Sequence, residues 1–265
     1  MADLVDRARN AVTERVELPG MSLIQHLEEL RRRLIHSAIY LVVAFFVAYA
    51  FHERIYGFMQ QPITIALTRH HLDPQLVYLN PIEPFNLYLK ISFLGGAILA
   101  SPFILYQIWL FISPGLYQNE KRYVVPFMSA TVGLFLAGAW FGFHYVYPGA
   151  LDFLLGYGKQ FKPMVTITEY TDLFMTVILG LGATFELPIL IMFLALFGIV
   201  SAGWLWKNVR YAILVIFIIA AIITPTPDIL TMCVFATPML VLYLVGIGVA
   251  FMVHPKRRRA RKEAA

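Results

Sequence analysis

The sequence contains few charged residues and almost no cysteine. Asp, Glu, Lys and Arg together make up 14% of the 265 residues, whereas 59% are hydrophobic. A water-soluble domain of this size needs more charge than this to cover its surface. Cys233 is the single cysteine, so disulfides and cysteine-based metal sites are excluded within one chain. This composition is typical of an integral membrane protein.

Motifs of membrane hydrolases and nucleotide-driven pumps are also missing. The sequence contains no G-x-S-x-G elbow, no H-E-x-x-H pair and no Walker loop. Its seven histidines are scattered, and none has the spacing of metal ligands. We therefore expect no enzymatic activity, no cofactor and no metal site.

Long uncharged runs divide the chain into six candidate membrane spans. An apolar run of roughly 18 or more residues is long enough to cross a bilayer. One run has an acidic residue, Glu186, at its centre, and another is shortened to about 14 helical residues by Pro225 and Pro227. We predict an all-α, polytopic membrane protein with spans in the runs 34–51, 91–119, 123–151, 173–198, 211–227 and 229–253.

The basic residues fall mainly on one side of this arrangement. With six spans, both termini share a side with the second and fourth loops, and that side holds 16 of the 21 lysines and arginines. Cationic residues concentrate in cytoplasmic segments, so we predict that both termini are cytoplasmic. The basic isoelectric point near 9.3 is explained by this topology, and we do not expect nucleic-acid binding. The 16 residues are Arg7, Arg9, Arg15, Arg31, Arg32, Arg33, Lys121, Arg122, Lys207, Arg210, Lys256, Arg257, Arg258, Arg259, Arg261 and Lys262.

Three segments are expected along the chain: a cytoplasmic arm at 1–21, a transmembrane domain at 22–253 and a basic cytoplasmic tail at 254–265. The helicity of the arm is left open. Segments 52–83 and 148–169 are predicted to be external loops. Leucines recur at helical spacing ahead of the first span, which predicts a short amphipathic helix leading into it; these are Leu23, Leu27, Leu30 and Leu34.

Prolines inside the spans predict kinked helices. Pro102, Pro188 and Pro238 each remove a backbone donor and free the carbonyl four residues earlier. Gly138 and Gly142 have the small-xxx-small spacing that allows two membrane helices to approach closely. We therefore expect a bundle of irregular, closely packed helices.

Glu186 is the most informative single position, because an ionised side chain at mid-membrane costs at least a few kcal/mol. It is either a neutral carboxyl hydrogen-bonded between helices or a group facing water or a partner, and the second interpretation is favoured. Lys90, near the outer end of the second span, is expected to extend its amine towards the membrane interface.

Two acidic residues lie beside membrane ends on the predicted cytoplasmic face. Glu29 precedes the first span and Glu120 lies between the second and third. They are either solvated charges neutralised by Arg31 and Lys121, or an acidic pocket for a cationic ligand, since carboxylates accept paired bonds from guanidinium groups.

The last external turn, at 224–228, has the sequence TPTPD. It is either purely a turn, in which Asp228 caps the next helix, or a functional element.

Several short motifs in series resemble the TatC family, the receptor subunits of the twin-arginine protein translocase. The resemblance runs in order from about residue 22 to residue 253. It is carried by 26–34 (HLEELRRRL), 101–109 (SPFILYQIW), 111–117 (FISPGLY), 120–126 (EKRYVVP), 185–188 (FELP) and 224–228 (TPTPD).

This resemblance implies a fold and a function. The fold is a cup of six helices with both termini cytoplasmic, in the bacterial inner membrane. The function is to bind the twin-arginine signal peptide of folded precursors and to export them with TatA and TatB, driven by the proton-motive force. Membrane lipids and further copies of the chain are expected as additional partners.

The resemblance also implies roles for particular residues. Glu29 and Glu120 match acidic positions of the signal-peptide site, and Glu186 matches an intramembrane glutamate. Two departures are Met232, where some relatives have a glutamine, and Glu28, an extra acid that leaves open which of the two neighbouring acids contacts the peptide. Other positions implied in recognition, receptor integrity or partner contact are Arg31, Phe111, Lys121, Pro62, Thr224 and Asp228.

The sequence is also compatible with two rival functions. A proton-coupled small-solute transporter would use Glu186 as its proton carrier, but the sequence lacks the internal repeat common in such proteins. A membrane enzyme has no motif to support it. The signal-peptide receptor is therefore the preferred interpretation.

Overall fold

The computed structural model describes residues 23–112, 124–158, 160–196, 198–224 and 229–263. The predicted arm at 1–21 lies outside these residues. Within the described residues the regular structure is helical, and the one β-type contact is an isolated parallel bridge between Val77 and Thr166. The all-α prediction is confirmed.

Eleven α-helices and one π-helical turn follow each other along the described parts of the chain. In chain order the α-helices are α1 (Leu23–Ala50), α2 (His52–Met59), α3 (Gln61–Arg69), α4 (Glu83–Ile112), α5 (Val124–Phe141), α6 (Tyr147–Tyr157), α7 (Ile167–Thr184), α8 (Leu187–Leu196), α9 (Ala202–Lys207), α10 (Val209–Ile223) and α11 (Ile229–Glu263). The π-helical turn, Gly142–Val146, joins α5 to α6.

Five stretches of the described chain are long and apolar enough to cross a membrane. The shorter apolar helix Val209–Ile222 lies where the sequence predicts a short span ended by Pro225. The sixth crossing therefore stays a prediction. The five long stretches are Ile24–Ala50, Glu83–Phe111, Met128–Tyr157, Ile167–Leu196 and Met232–Met252.

The segment 148–169 is helical as far as Tyr157, and the segment 52–83 is not simply a loop either, so that part of the sequence interpretation is wrong. Segment 52–83 contains α2 and α3, which bury Met59, Ile63 and Leu67 in the main hydrophobic core. Apolar residues at these spacings form a helical stripe that gains stability by packing against the bundle.

The irregularity expected at Pro188 occurs in the fourth span, whereas a second irregularity, in the third span, was not predicted. The third span contains the π-helical turn, and the fourth is interrupted between α7 and α8, at Phe185 and Glu186. Pro188 lies in the first turn of α8, where its missing donor is tolerated. Pro102, by contrast, lies inside the continuous helix α4.

The fourth span lies at the centre of the bundle, and the first lies at its edge. In the most apolar 18-residue stretch of Ile167–Leu196, 50% of the residues are buried, whereas 11% are buried in the corresponding stretch of Ile24–Ala50. A Cβ added at Gly138 of α5 would lie 2.6 Å from the carbonyl oxygen of Leu181 in α7, so only glycine allows these helices to approach so closely. Helix α1 packs along α4, and α8 packs on α11.

Candidate functional site

A cluster of polar and aromatic side chains lies where the beginning of α1 meets the end of α4. We call it the Glu29 corner. His26, Glu29 and Arg33 lie on one face of α1, because residues three and four apart are neighbours on a helix. Gln107 and Phe111, four residues apart, face them from α4. The corner is therefore built by the packing of two apolar helices.

Arg33 connects the two helices at this corner. Its Nη2 donates to Oε1 of Glu29 at 3.1 Å, and its Nη1 donates to Oε1 of Gln107 at 3.2 Å. Gln107 is 4% exposed and Glu29 is 9% exposed. Charged groups that are removed from water to this degree are usually paired, and Arg33 supplies the partner of Glu29.

The corner still has hydrogen-bonding capacity. Among the described residues, none donates to the buried Oε2 of Glu29, and none accepts from the buried Nε of Arg33. A carboxylate accepts through both oxygens and can bind a guanidinium group through two parallel bonds. Oε2 of Glu29 therefore retains an acceptor position that no described residue fills.

An aromatic wall borders the same corner. The rings of His26 and Phe111 stack with centroids 4.4 Å apart and planes 19° apart. On α4, Trp109 is buried against Phe193 of α8, with ring centroids 5.0 Å apart. The end of α4 is thus fixed on two sides by aromatic contacts.

The neighbouring acids Glu28 and Glu29 have different environments in the structure. Glu28 is exposed, whereas Glu29 faces α4. Arg31 is also exposed, so the structure does not bring it into the corner. Glu120 and Lys121 lie outside the described residues.

Three residues of the corner, His26, Arg33 and Gln107, were missed by reasoning from the sequence. The spacing of Glu29 and Arg33, i and i+4, is that of an ion pair on one helix, so the pair could have been found. Gln107 is one of several polar residues in the predicted second span, and nothing in the sequence indicates which helix it faces.

Glu186 lies in the interruption of the fourth span. Its backbone NH bonds back to the carbonyl of Ala183 at 3.2 Å, and its carbonyl accepts from Leu190 at 2.9 Å. Its Oε1 is buried, and no described residue hydrogen-bonds to it. This geometry agrees with the irregularity of the chain that was expected beside Glu186. The role of Glu186 stays a prediction.

The other predicted positions lie elsewhere in the fold. Thr224, at the end of α10, is buried and donates from Oγ1 to the carbonyl of Ala220 at 2.9 Å. Asp228 lies outside the described residues. Pro62 is buried in the first turn of α3, where it borders an open cleft of about 290 Å³. Neither Thr224 nor Pro62 contributes to the Glu29 corner.

Two ion pairs towards the predicted outer side were not anticipated. Lys90 of α4 donates to Asp172 of α7 at 2.5 Å, so it has a specific partner rather than only an interfacial position. Arg69 of α3 pairs with Asp152 of α6, whose other oxygen lies 3.7 Å from His70 Nε2. Both pairs join elements that are distant in the sequence.

In the part of the chain that the structure describes, no group of His, Cys, Asp and Glu residues is arranged to hold a metal ion. The carboxylate, guanidinium and amide groups of the corner can recognise charge through paired hydrogen bonds.

Comparisons with known proteins agree on one family. Residues 25–238 match the family model described as Sec-independent protein translocase protein (TatC). A protein of that name from Koribacter versatilis (strain Ellin345) is 63% identical over 260 residues, which cover 98% of this chain and 96% of the relative. Its counterpart from Helicobacter pylori (strain J99 / ATCC 700824) is 39% identical over 231 residues, covering 87% and 89%.

A solved structure shares the fold as well. A crystal structure described as the twin arginine translocase receptor TatC is 35% identical in sequence and superposes with a TM-score of 0.77. The match covers 86% of this chain and 99% of that one.

Proposed function

This chain belongs to the TatC family of Sec-independent protein translocase proteins, and from that membership we propose that it binds the twin-arginine signal peptide of folded precursors. Membership makes the chain a multi-pass membrane component of a translocase, not an enzyme. In the proposed function, Glu29 is the primary contact of the signal peptide, and Glu120 and Lys121 complete the site.

The observation that carries this proposal is the state of the Glu29 carboxylate. It is nearly buried at a helix junction, yet Oε2 has no donor among the described residues. A guanidinium group arriving there would gain charge-assisted bonds that are stronger than those between neutral groups. Lysine presents a point charge without the planar fork, which accounts for a preference for arginine.

Phe111 and the apolar helices supply the rest of the proposed binding surface. The apolar segment of a signal peptide would lie beside the His26–Phe111 stack and along the exposed side of α1. Arg31, exposed on the other face of α1, would act from outside the corner by attracting lipid phosphates or precursor acids.

Assembly with TatA and TatB is the second part of the proposal. Helix α10 exposes Leu214, Ile218 and Ile222, and short helices of this kind perturb the bilayer through hydrophobic mismatch. We propose that this helix, the turn holding Thr224 and Asp228, and the segment of Pro62 contact these single-span partners and further copies of the chain. Export is driven by the proton-motive force.

We also propose six spans, with both termini in the cytoplasm of a bacterium and the helices in its inner membrane. The distribution of basic residues supports this orientation. The single cysteine makes the test simple: in a Cys233→Ser background, Lys207→Cys should react with an impermeant thiol reagent only after the cell is opened. Asp73→Cys should react in intact cells. The reverse pattern would refute the orientation.

Binding is tested by site-specific cross-linking of a signal peptide to the full-length protein in membranes. A photoreactive group placed beside the twin arginines should capture the wild-type protein at the Glu29 corner, and the twin-lysine peptide should be captured poorly. Glu29→Gln should reduce the arginine signal strongly, whereas Glu28→Gln, on the exposed face of the same helix, should not. Equal capture of both peptides would overturn the recognition model.

A further inference from the structure

Glu29 already has a guanidinium partner before any ligand arrives. Arg33, one helical turn further along α1, holds Oε1 of the carboxylate at 3.1 Å. This bond has the chemistry that a twin-arginine ligand would use at the same group. The corner therefore contains an internal equivalent of its proposed ligand.

Arg33 is held in place, but incompletely. Gln107 accepts its Nη1 at 3.2 Å, while its buried Nε has no acceptor among the described residues. The Arg33 side chain is 20% exposed, against 9% for Glu29. Because its stem is long and flexible, we expect the guanidinium to leave the carboxylate through a change of rotamer.

We propose that Arg33 is a built-in competitor for Glu29, a side chain that must be displaced before a signal peptide binds through both carboxylate oxygens. The inference rests on the proposed function, because it concerns how the same carboxylate selects its ligand. A ligand must bind Glu29 more strongly than Arg33 does in order to displace it, so cations that bond weakly do not occupy the site.

This competition raises the affinity that every ligand needs, and the difference between arginine and lysine comes from the bonds that each can make to Glu29. An arginine of the ligand can replace the lost bond of Arg33 and add a second one at Oε2. A lysine cannot form the two parallel bonds and gains less from the exchange. Because both ligands displace the same side chain, removing Arg33 should improve the binding of both by about the same factor.

The experiment measures dissociation constants of fluorescent twin-arginine and twin-lysine signal peptides on the purified full-length protein in detergent. Arg33→Gln should bind both peptides about three- to tenfold more tightly, as expected for loss of one partly buried ion-pair competitor. Arg32→Gln is the matched control, because Arg32 is exposed on the same helix and its loss changes the net charge equally. Arg32→Gln should change the dissociation constant of each peptide by no more than about half of the change that Arg33→Gln produces.

A second variant retains all charges. Gln107→Met fills nearly the same volume but removes the acceptor that anchors Arg33, so both peptides should bind about twofold more tightly, as expected for the loss of one modest hydrogen bond. This variant keeps the proposal testable if Arg33→Gln does not fold.

The possible results separate the two proposals. Weaker or unchanged binding of both peptides by Arg33→Gln, or an equal gain by Arg32→Gln, would overturn the competitor role and leave the receptor function standing. If Arg33→Gln does not fold, weaker or unchanged binding by Gln107→Met would overturn the competitor role and leave the receptor function standing. If wild-type protein did not prefer the arginine peptide, or if Glu29→Gln bound it normally, the receptor site itself would be wrong.

Discussion

Gly96 of α4 lies directly against the main chain of Phe45 in α1. A Cβ at position 96 would lie 2.8 Å from both the N and the Cα of Phe45, a distance that carbon atoms do not tolerate. The same two helices carry Glu29 and Gln107 to the Glu29 corner. The close approach at mid-helix is therefore part of what positions the candidate site.

Gly96→Ala should destabilise the protein and weaken the site together. The added methyl group meets backbone atoms that cannot rotate away, and overpacking of this kind costs about 1–3 kcal/mol. Thermal unfolding in detergent measures the loss of stability, and capture of the twin-arginine peptide measures the effect on the site.

Gly133→Ala is the control for this substitution. Position 133 lies within α5 and has no atom within 4 Å of an added Cβ. Alanine should therefore leave stability unchanged or raise it by about 0.5–1 kcal/mol through its better helix propensity. Equal behaviour of the two variants would show that the contact with Phe45 is not tight.

The first helix shows how far sequence reasoning reaches in a membrane protein. The leucine stripe correctly predicts an amphipathic helical segment, which the structure joins to the first span as one helix. The stripe does not pack into the bundle: Leu27 and Leu34 are exposed, while Glu29 and Arg33 face α4. In a bilayer the apolar face is satisfied by lipid, so hydrophobicity alone does not indicate which face is inside.

Other features depended on information that one sequence does not contain. Pro188 and Glu186 are two residues apart in the chain, so an irregular fourth span could be predicted. The partners of Lys90 and Arg69, in contrast, lie more than 80 residues away. These pairs depend on how the helices are arranged, which no local pattern specifies.

A charge exchange tests the pair between α4 and α7. Lys90→Asp or Asp172→Lys alone places like charges together and should lower the free energy of unfolding by about 1 kcal/mol, since the pair is partly exposed. The double variant restores opposite charges and should recover most of that loss. The measurement is denaturation in detergent, with Lys162→Asp, at an exposed lysine, as the control. Additive losses in the double variant would contradict a direct interaction.

Tyr170 fixes helix α2 to the fourth span. The buried hydroxyl of Tyr170 donates to the carbonyl of Met59, and its own carbonyl accepts from Tyr147 at 3.3 Å. Tyr170→Phe leaves the Met59 carbonyl without this donor and should cost about 1–2 kcal/mol of unfolding free energy. Tyr157→Phe, at a side chain that is 86% exposed, should change stability little. No difference between the two would mean that water replaces the lost hydroxyl.

Glu186 should matter for transport more than for binding. Among the described residues it shares no hydrogen bond with the Glu29 corner, and it lies where the fourth span is interrupted. Glu186→Gln keeps the size of the side chain but removes its ability to ionise. If the carboxyl faces water or a moving partner at mid-membrane, this variant should bind the twin-arginine peptide with nearly normal affinity and lose transport several-fold.

The two activities are measured separately, by peptide binding to purified protein and by export of a folded precursor in cells that lack the native gene. Glu169→Gln is the matched control, because Glu169 is exposed in the first turn of α7 and lies on the same span. Full export by Glu186→Gln would show that ionisation is not needed and return Glu186 to a structural role. Loss of binding as well as export would place Glu186 in the receptor step instead, because a side chain needed only for translocation cannot alter the affinity for the isolated peptide.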